Sequence, residues 1–299
     1  MRHVISTASL LLLPFFVAAQ SLGTRAVTTA GGMGTGADAS LSWSVGQPAS
    51  GHFNGTDTLI TAGVQQPDGV LLELNIAVLL DGPYDTDTEL MHDSLRVLGL
   101  VPTTEPFTVA GRPPVGMQGG AALGTNALLA SGSDAVVDWI FLELRAADDN
   151  SRVVAARSAL VQRDGDVVDM DGGSPVRITV LPGNYHLAVL HRNHLPVMSQ
   201  APLAFNAGPN AIDLTEGTLS LHVPNAHFFL AGHYFLGQGD VSGDAKVQYI
   251  GQGNDRDPIL VGIGGTVPTN SSSGYLPTDV NMDGSVKYVG QNNDRDPIL

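Results

Sequence analysis

A stretch of 21 residues, 240–260, recurs 39 residues later as 279–299, and most positions of the two copies match. Chance does not produce agreement over so long a stretch, so both copies answer to one local structure. Each copy spaces oxygen-bearing side chains two apart: Asp240, Ser242 and Asp244 in the first, Asp279, Asn281 and Asp283 in the second. In a tight turn, alternate side chains project to one side. Calcium takes six to eight hard oxygens at ~2.3–2.6 Å, so this spacing points to calcium. Gly284 permits the turn in the second copy, Ser285 offers a backbone carbonyl as Lys246 does in the first, and Val286 anchors the loop in a core. Ala245 stands where glycine is favoured, a strain of roughly 1 kcal/mol.

The twelfth position, acidic in an ordinary EF-hand, is Gly251 or Gly290, and the acids come later in the run Asn-Asp-Arg-Asp-Pro. Aligning Asn254 and Asn293 with the usual ninth position puts Asp257 and Asp296 where the last bidentate ligand belongs, after a six-residue insertion. Asp255 and Asp294 compete for that role. Asp-Pro is also a good helix start, so a metal-free hydrogen-bonded turn is the simpler alternative. Acids this dense repel one another unless a cation neutralises them, and Ca2+ is the expected cofactor.

The formal net charge of −15 repels phosphate backbones and anionic lipid, which speaks against nucleic acid and membrane surfaces as partners. The absence of cysteine excludes disulfide scaffolds, thiol catalysis and thiolate metal sites. The N-terminus reads as a signal peptide over 1–19, with Arg2 and His3, an apolar run over 10–17 and the small-residue site Val17-Ala18-Ala19. No later apolar stretch reaches the ~20 residues of a membrane helix. Secretion or display on the cell surface is expected, or the periplasm if export stops at the outer membrane.

With 36 glycines, 18 prolines and only 14% charged residues, the chain suits short strands and many turns. The expected class is mainly β. It comprises a small β module over 20–70, an immunoglobulin-like β-sandwich over 71–230, and tandem dockerin/EF-hand-like calcium loops over 231–299. Within the sandwich, 71–80 reads as one strand, 87–97 as a short helix opened by Thr86 and Glu89, and 102–133 as an irregular crossover. Strands follow over 136–145, 153–162, 166–169, 176–181 and 185–192, with turns at Arg163-Asp164-Gly165 and Pro182-Gly183-Asn184. The last strands fall near Ile212 and over 218–223.

Other clusters carry less. His186, His191, His194, His222, His227 and His233 crowd one region, and His191 with His194 could hold zinc. Strand alternation separates His186 from His191, so His191, Arg192, Asn193 and His194 are better read as a corner that satisfies backbone groups. Asp164, Asp166, Asp169 and Asp171 could form another calcium loop, but Asp-Gly turns need no metal. Asp138 and Glu143 lie five apart on one strand, on opposite faces, and fail as a glycosidase pair. Asp138 and Arg145 are likewise on opposite faces. No nucleophile elbow, zinc-protease motif or phosphate loop is present, and no catalytic activity is expected.

The C-terminal copies resemble a family of exported Bacteroidota proteins of the haemagglutinin-like, dockerin-type kind. The likeness lies in Asp-Val-Asn-x-Asp-Gly-x-Val-Lys-Tyr followed by Asn-Asp-Arg-Asp-Pro-Ile-Leu. It extends to 137–145, 160–166, 191–195 and Trp43-Ser44-Val45-Gly46-Gln47. The resemblance implies an extracellular calcium-binding β protein, with no settled activity in the family. The second copy stops at Leu299, one helix short of a dockerin. The expected function is calcium-dependent adhesion or binding, with a glycan or a cell-surface protein as partner. The alternatives are docking onto a scaffold or an accessory role in polysaccharide degradation.

Overall fold

The computed structural model describes residues 70–223 and 226–299 and, nearer the N-terminus, the backbone of four strands. The expected signal peptide and the side chain of Trp43 lie outside the described residues. Two compact units divide the chain, Met1–Asp68 and Gly69–Leu299. In the first, β1 (Gly31–Thr35) pairs antiparallel with β2 (Ser40–Ser44), and β3 (Gly51–Asn54) with β4 (Leu59–Ala62). The Asn54-Gly55 turn signal falls where β3 ends.

The second unit opens with β5 (Val70–Ala77), and β6 (Leu79–Leu80) resumes after a break at Val78, whose amide donates to the Gly165 carbonyl at 2.8 Å. The helix expected over 87–97 shrinks to α1 (Ser94–Val97). Before it, β7 (Tyr84–Asp85) pairs with β8 (Leu90–Met91), and Glu89 takes φ 57°, which no right-handed helix accommodates.

The expected crossover over 102–133 is irregular, and Glu105 organises it from a buried position. Its carboxylate accepts the amides of Phe107 at 2.8 Å and Gly120 at 2.8 Å, and the hydroxyls of Thr108 and Ser158. Burial opposes its ionisation, but these donors hold its pKa below the ordinary range.

The core strands are β9 (Val136–Ala146) and β10 (Val153–Gln162), joined antiparallel over nearly their whole length. Only Arg145 of β9 is not buried, so both faces of this strand are covered. On one face Phe107 of the crossover packs on Phe141 with ring centroids 5.0 Å apart, and the Trp139 indole donates to the Pro102 carbonyl at 2.9 Å. Alternation turns Asp138 to the other face.

Gly165, at φ 96°, closes the turn into β11 (Asp166–Val168); β12 (Val176–Val180) and β13 (Gly183–Leu190) follow. Next come β14 (Val197–Met198), β15 (Leu203–Phe205) and β16 (Pro209–Asp213). Hydrogen bonds link nine strands into one sheet, in which β5 pairs antiparallel with β11 and β12 and parallel with β16. The strand expected over 218–223 is only an isolated bridge from Leu221 to Ser199. The hairpin of β17 (His227–Leu230) and β18 (His233–Leu236) instead supplies the parallel neighbour of β6.

Beyond it lie α2 (Arg256–Gly262) and a short ladder of β19 (Ser271–Ser273) with β20 (Ser285–Lys287). Residues 231–299, expected as a separate segment, belong to the same compact unit as the sheet. Met282 enters the main core, while Val241, Ile259, Ile263, Val280, Val286 and Ile298 form a smaller one. That smaller core is built on the repeat: Val241 matches Val280, and Ile259 matches Ile298.

Candidate metal centre and its anchorage

The two repeat copies fold alike. In the second, Asn281 Oδ1 accepts the Asp283 amide at 3.0 Å and Asp283 Oδ1 accepts the Ser285 amide at 2.8 Å. These side-chain turns bend the loop around its acidic residues. Met282 and Gly284 sit in left-handed backbone at φ 61° and 86°. Asp279 Oδ2 accepts the Gly284 amide at 3.0 Å, but Asp279 Oδ1 is buried with no hydrogen-bond partner among the described residues. Burial pushes the Asp279 pKa up to about 6, with Asp283 adding to the rise and Arg192 opposing it.

Asp294 closes this loop. It is fully buried, and its carboxylate accepts the amides of Val280 at 2.7 Å and Lys287 at 2.8 Å. Burial, then the charge of Asp279, pushes its pKa up to about 7 against those donors. Asp255 does the same in the first copy, accepting the amides of Ser242 at 2.9 Å and Gln248 at 2.8 Å.

Asp257 and Asp296, which the EF-hand alignment makes the last ligands, are placed elsewhere. Each precedes a proline in the first turn of a helical segment, and each carboxylate faces outward with 57% and 53% of the side chain exposed. Asn254 Oδ1 caps α2 by accepting the Asp257 amide at 2.9 Å, and its amide group returns a bond to Asp257 Oδ2 at 2.9 Å. Asn293 and Asp296 repeat this bond for bond at 2.9 and 2.8 Å. Arg256, paired with Asp257, lies over the Tyr249 ring at 4.9 Å, and Arg295, paired with Asp296, over Tyr288 at 5.2 Å. The stretch Asn-Asp-Arg-Asp-Pro is therefore a cap and a clamp, with its first Asp turned into the loop.

The first copy departs in detail. Asp240 has both oxygens occupied, by the amides of Asp244 and Ala245 at 3.0 Å each. Burial, opposed by those amides and aided by Asp255, pushes its pKa up to about 6. Ser242, Asp244 and Lys246 are exposed, and Ala245 adopts φ 64°, the strained conformation expected of it. Ala245→Gly should stabilise the protein by up to about 1 kcal/mol in urea unfolding, because the relief of left-handed strain outweighs the added entropy of the unfolded chain. Gly284→Ala should cost more than that. A Cβ there would meet the Leu98 and Leu100 methyls at 2.6 and 3.0 Å, on top of the φ strain.

Among the described residues, no three His, Asp or Glu side chains are arranged to hold one metal ion between them. A cation in the second loop would thus draw on the Asn281 amide oxygen and a main-chain carbonyl as well as carboxylates. The additional acidic stretch is accounted for by protein contacts: Asp169 pairs with Arg157, and Asp171 accepts the amides of Gly173 at 3.0 Å and Ser174 at 2.9 Å.

The second loop is anchored to the sheet by the corner His191–His194. Arg192 donates to Asp138 at 2.9 Å and to the Leu276 carbonyl, with its guanidinium 4.5 Å from the Tyr275 ring centre. His191 Nε2 lies 3.2 Å from the same Asp138 carboxylate. Burial would raise the Asp138 pKa, but Arg192 and the His191 hydrogen bond hold it below the ordinary carboxylate range. Asn193 donates to the carbonyls of Pro277 at 3.2 Å and Asp279 at 2.6 Å, and His194 Nε2 donates to the Asp81 carbonyl at 2.7 Å. The corner thus satisfies backbone groups, as its composition leads one to expect, and its acidic partner is Asp138. Glu143, on the opposite face, pairs with Arg145 at 2.7 Å.

No known protein family, no curated protein and no solved structure matches this chain.

Proposed function

We propose that the protein is a secreted or cell-surface binding protein without catalytic activity, whose C-terminal repeat is stabilised by Ca2+ in loops of the dockerin/EF-hand kind. The observation that carries this reading is the Asp279 Oδ1 atom, buried without a partner inside a loop of alternating oxygen donors. An isolated buried carboxylate oxygen is costly, and a hard cation beside it removes the cost. An immunoglobulin-like sandwich is our reading of the nine-stranded sheet, both faces of whose central strand are buried. Its loops would present the contact surface to a glycan or a cell-surface protein. Use of the repeat as a free dockerin is disfavoured, because the corner His191–His194 and Met282 tie the second loop to the sheet.

Urea unfolding after chelator treatment tests the calcium reading. Calcium at a thousand times its Kd should add about 4 kcal/mol, and a glycan panel read with and without calcium then tests the partner. No midpoint shift at millimolar calcium would remove the reading.

A further inference from the structure

We infer that the two repeat loops are unequal, and that the second alone holds a divalent cation while the first is closed by its own main-chain amides. This rests on the calcium reading and narrows it to one ion per chain.

Three differences point the same way. The first position of each loop is a buried aspartate, but Asp240 spends both oxygens on amides whereas Asp279 leaves Oδ1 free in the interior. The middle donor is a serine hydroxyl in the first loop and an amide oxygen, already turned by its bond to the Asp283 amide, in the second. Calcium accepts either, but the carbonyl-type oxygen of Asn281 is the stronger donor and is already oriented.

Surroundings differ too. The first loop stands in solvent with Ser242, Gly243, Asp244, Ala245 and Lys246 exposed, and an ion there would have to displace the amides that already occupy Asp240. The second is braced from below, with Gly284 pressed on Leu98 and Leu100, Met282 in the main core, and the Asp279 carbonyl held by Asn193. A braced loop has already lost the entropy that binding would otherwise cost.

Calorimetric titration of the chelator-treated protein with CaCl2 decides the matter. One equivalent should bind, vanish in Asp279→Asn and persist in Asp240→Asn. Asn281→Ala, at a half-buried position that leaves Asp279 intact, should weaken binding by about tenfold or more, because it removes one of the oxygen donors to the ion. Far-ultraviolet circular dichroism confirms that each variant is folded. Two equivalents, each lost with its own aspartate, would overturn the inequality and leave the calcium reading standing. So would one equivalent lost with Asp240→Asn and kept in Asp279→Asn. No heat and no shift in the unfolding midpoint would overturn both.

Discussion

Asp138→Ala should lower the stability of the protein by about 3–5 kcal/mol, the cost of leaving a buried charge without its partner. Asp138 is fully buried, and Arg192, with 6% of its side chain exposed, pairs with no other carboxylate among the described residues. With the carboxylate gone, the guanidinium keeps only the Leu276 carbonyl and the face of Tyr275. The His191 ring also loses its acceptor. In a unit of this size each kcal/mol moves the melting temperature by roughly 2–4 °C, so a fall on the order of 6–20 °C is expected. Asp257→Ala is the control, since an exposed pair contributes about 1 kcal/mol or less. Equal, small losses in the two variants would show that the buried pair does not hold the corner. Because Arg192 and Asn193 also grip the second loop, limited proteolysis of Asp138→Ala should cut first in the stretch after Gly274.

Acid should weaken the same corner through its histidines. His194 is buried between His191 and the Asp81 carbonyl, and burial, followed by the neighbouring His191, holds its pKa well below the usual value. Burial lowers the His191 pKa as well, against the pull of Asp138. A depressed histidine pKa means that the unfolded chain binds protons the folded one refuses. The stability is therefore fully present above about pH 6.5 and is lost as pH falls from there toward the folded-state values. Each histidine can contribute a slope of at most about 1.4 kcal/mol per pH unit. His194→Gln keeps a donor near the Asp81 carbonyl and removes the titration. The stability gap between wild type and this variant should narrow between pH 7.5 and 5.5 in urea unfolding, and parallel curves would rule the mechanism out.

What could be read from residues alone was local. β10 and the turn that follows it are legible because an apolar run meets Asp164-Gly165, and Gly165 takes the positive φ that such a turn needs. The repeat loops and the strain at Ala245 are legible for the same reason: spacing within one turn sets the geometry. The corner His191–His194 could be recognised by its crowd of polar groups. Its acidic partner could not, because Asp138 lies on another strand and only the register of β9 with β13 brings them near. EF-hand spacing favours Asp257 and Asp296 as the closing acids and leaves Asp255 and Asp294 as competitors, and spacing alone does not choose between them. The proline after Asp257 and after Asp296 sends those carboxylates to the cap, and Asp255 and Asp294 turn inward. The hairpin of β17 and β18 went unseen because the apolar residues between Ala226 and Leu236 cluster around His227, Gly232 and His233 without regular alternation, and Phe228, Phe229 and Leu230 remain exposed.

The placement of β5 sets the pace at which this unit can assemble. It is the first strand of the sheet, yet its neighbours are β11, β12 and β16, all made after the whole crossover and the β9–β10 hairpin. Neither edge can be closed by a local turn, and one of the pairings is parallel. Such wiring has high contact order, which places folding on the slow, millisecond-to-second side of the range for small domains. Until residue 213 is available, Val70, Leu72, Leu74 and Ile76 form an apolar strand with an open edge. A chain interrupted before β16 therefore leaves that edge of β5 unpaired and is prone to pair with another copy of itself.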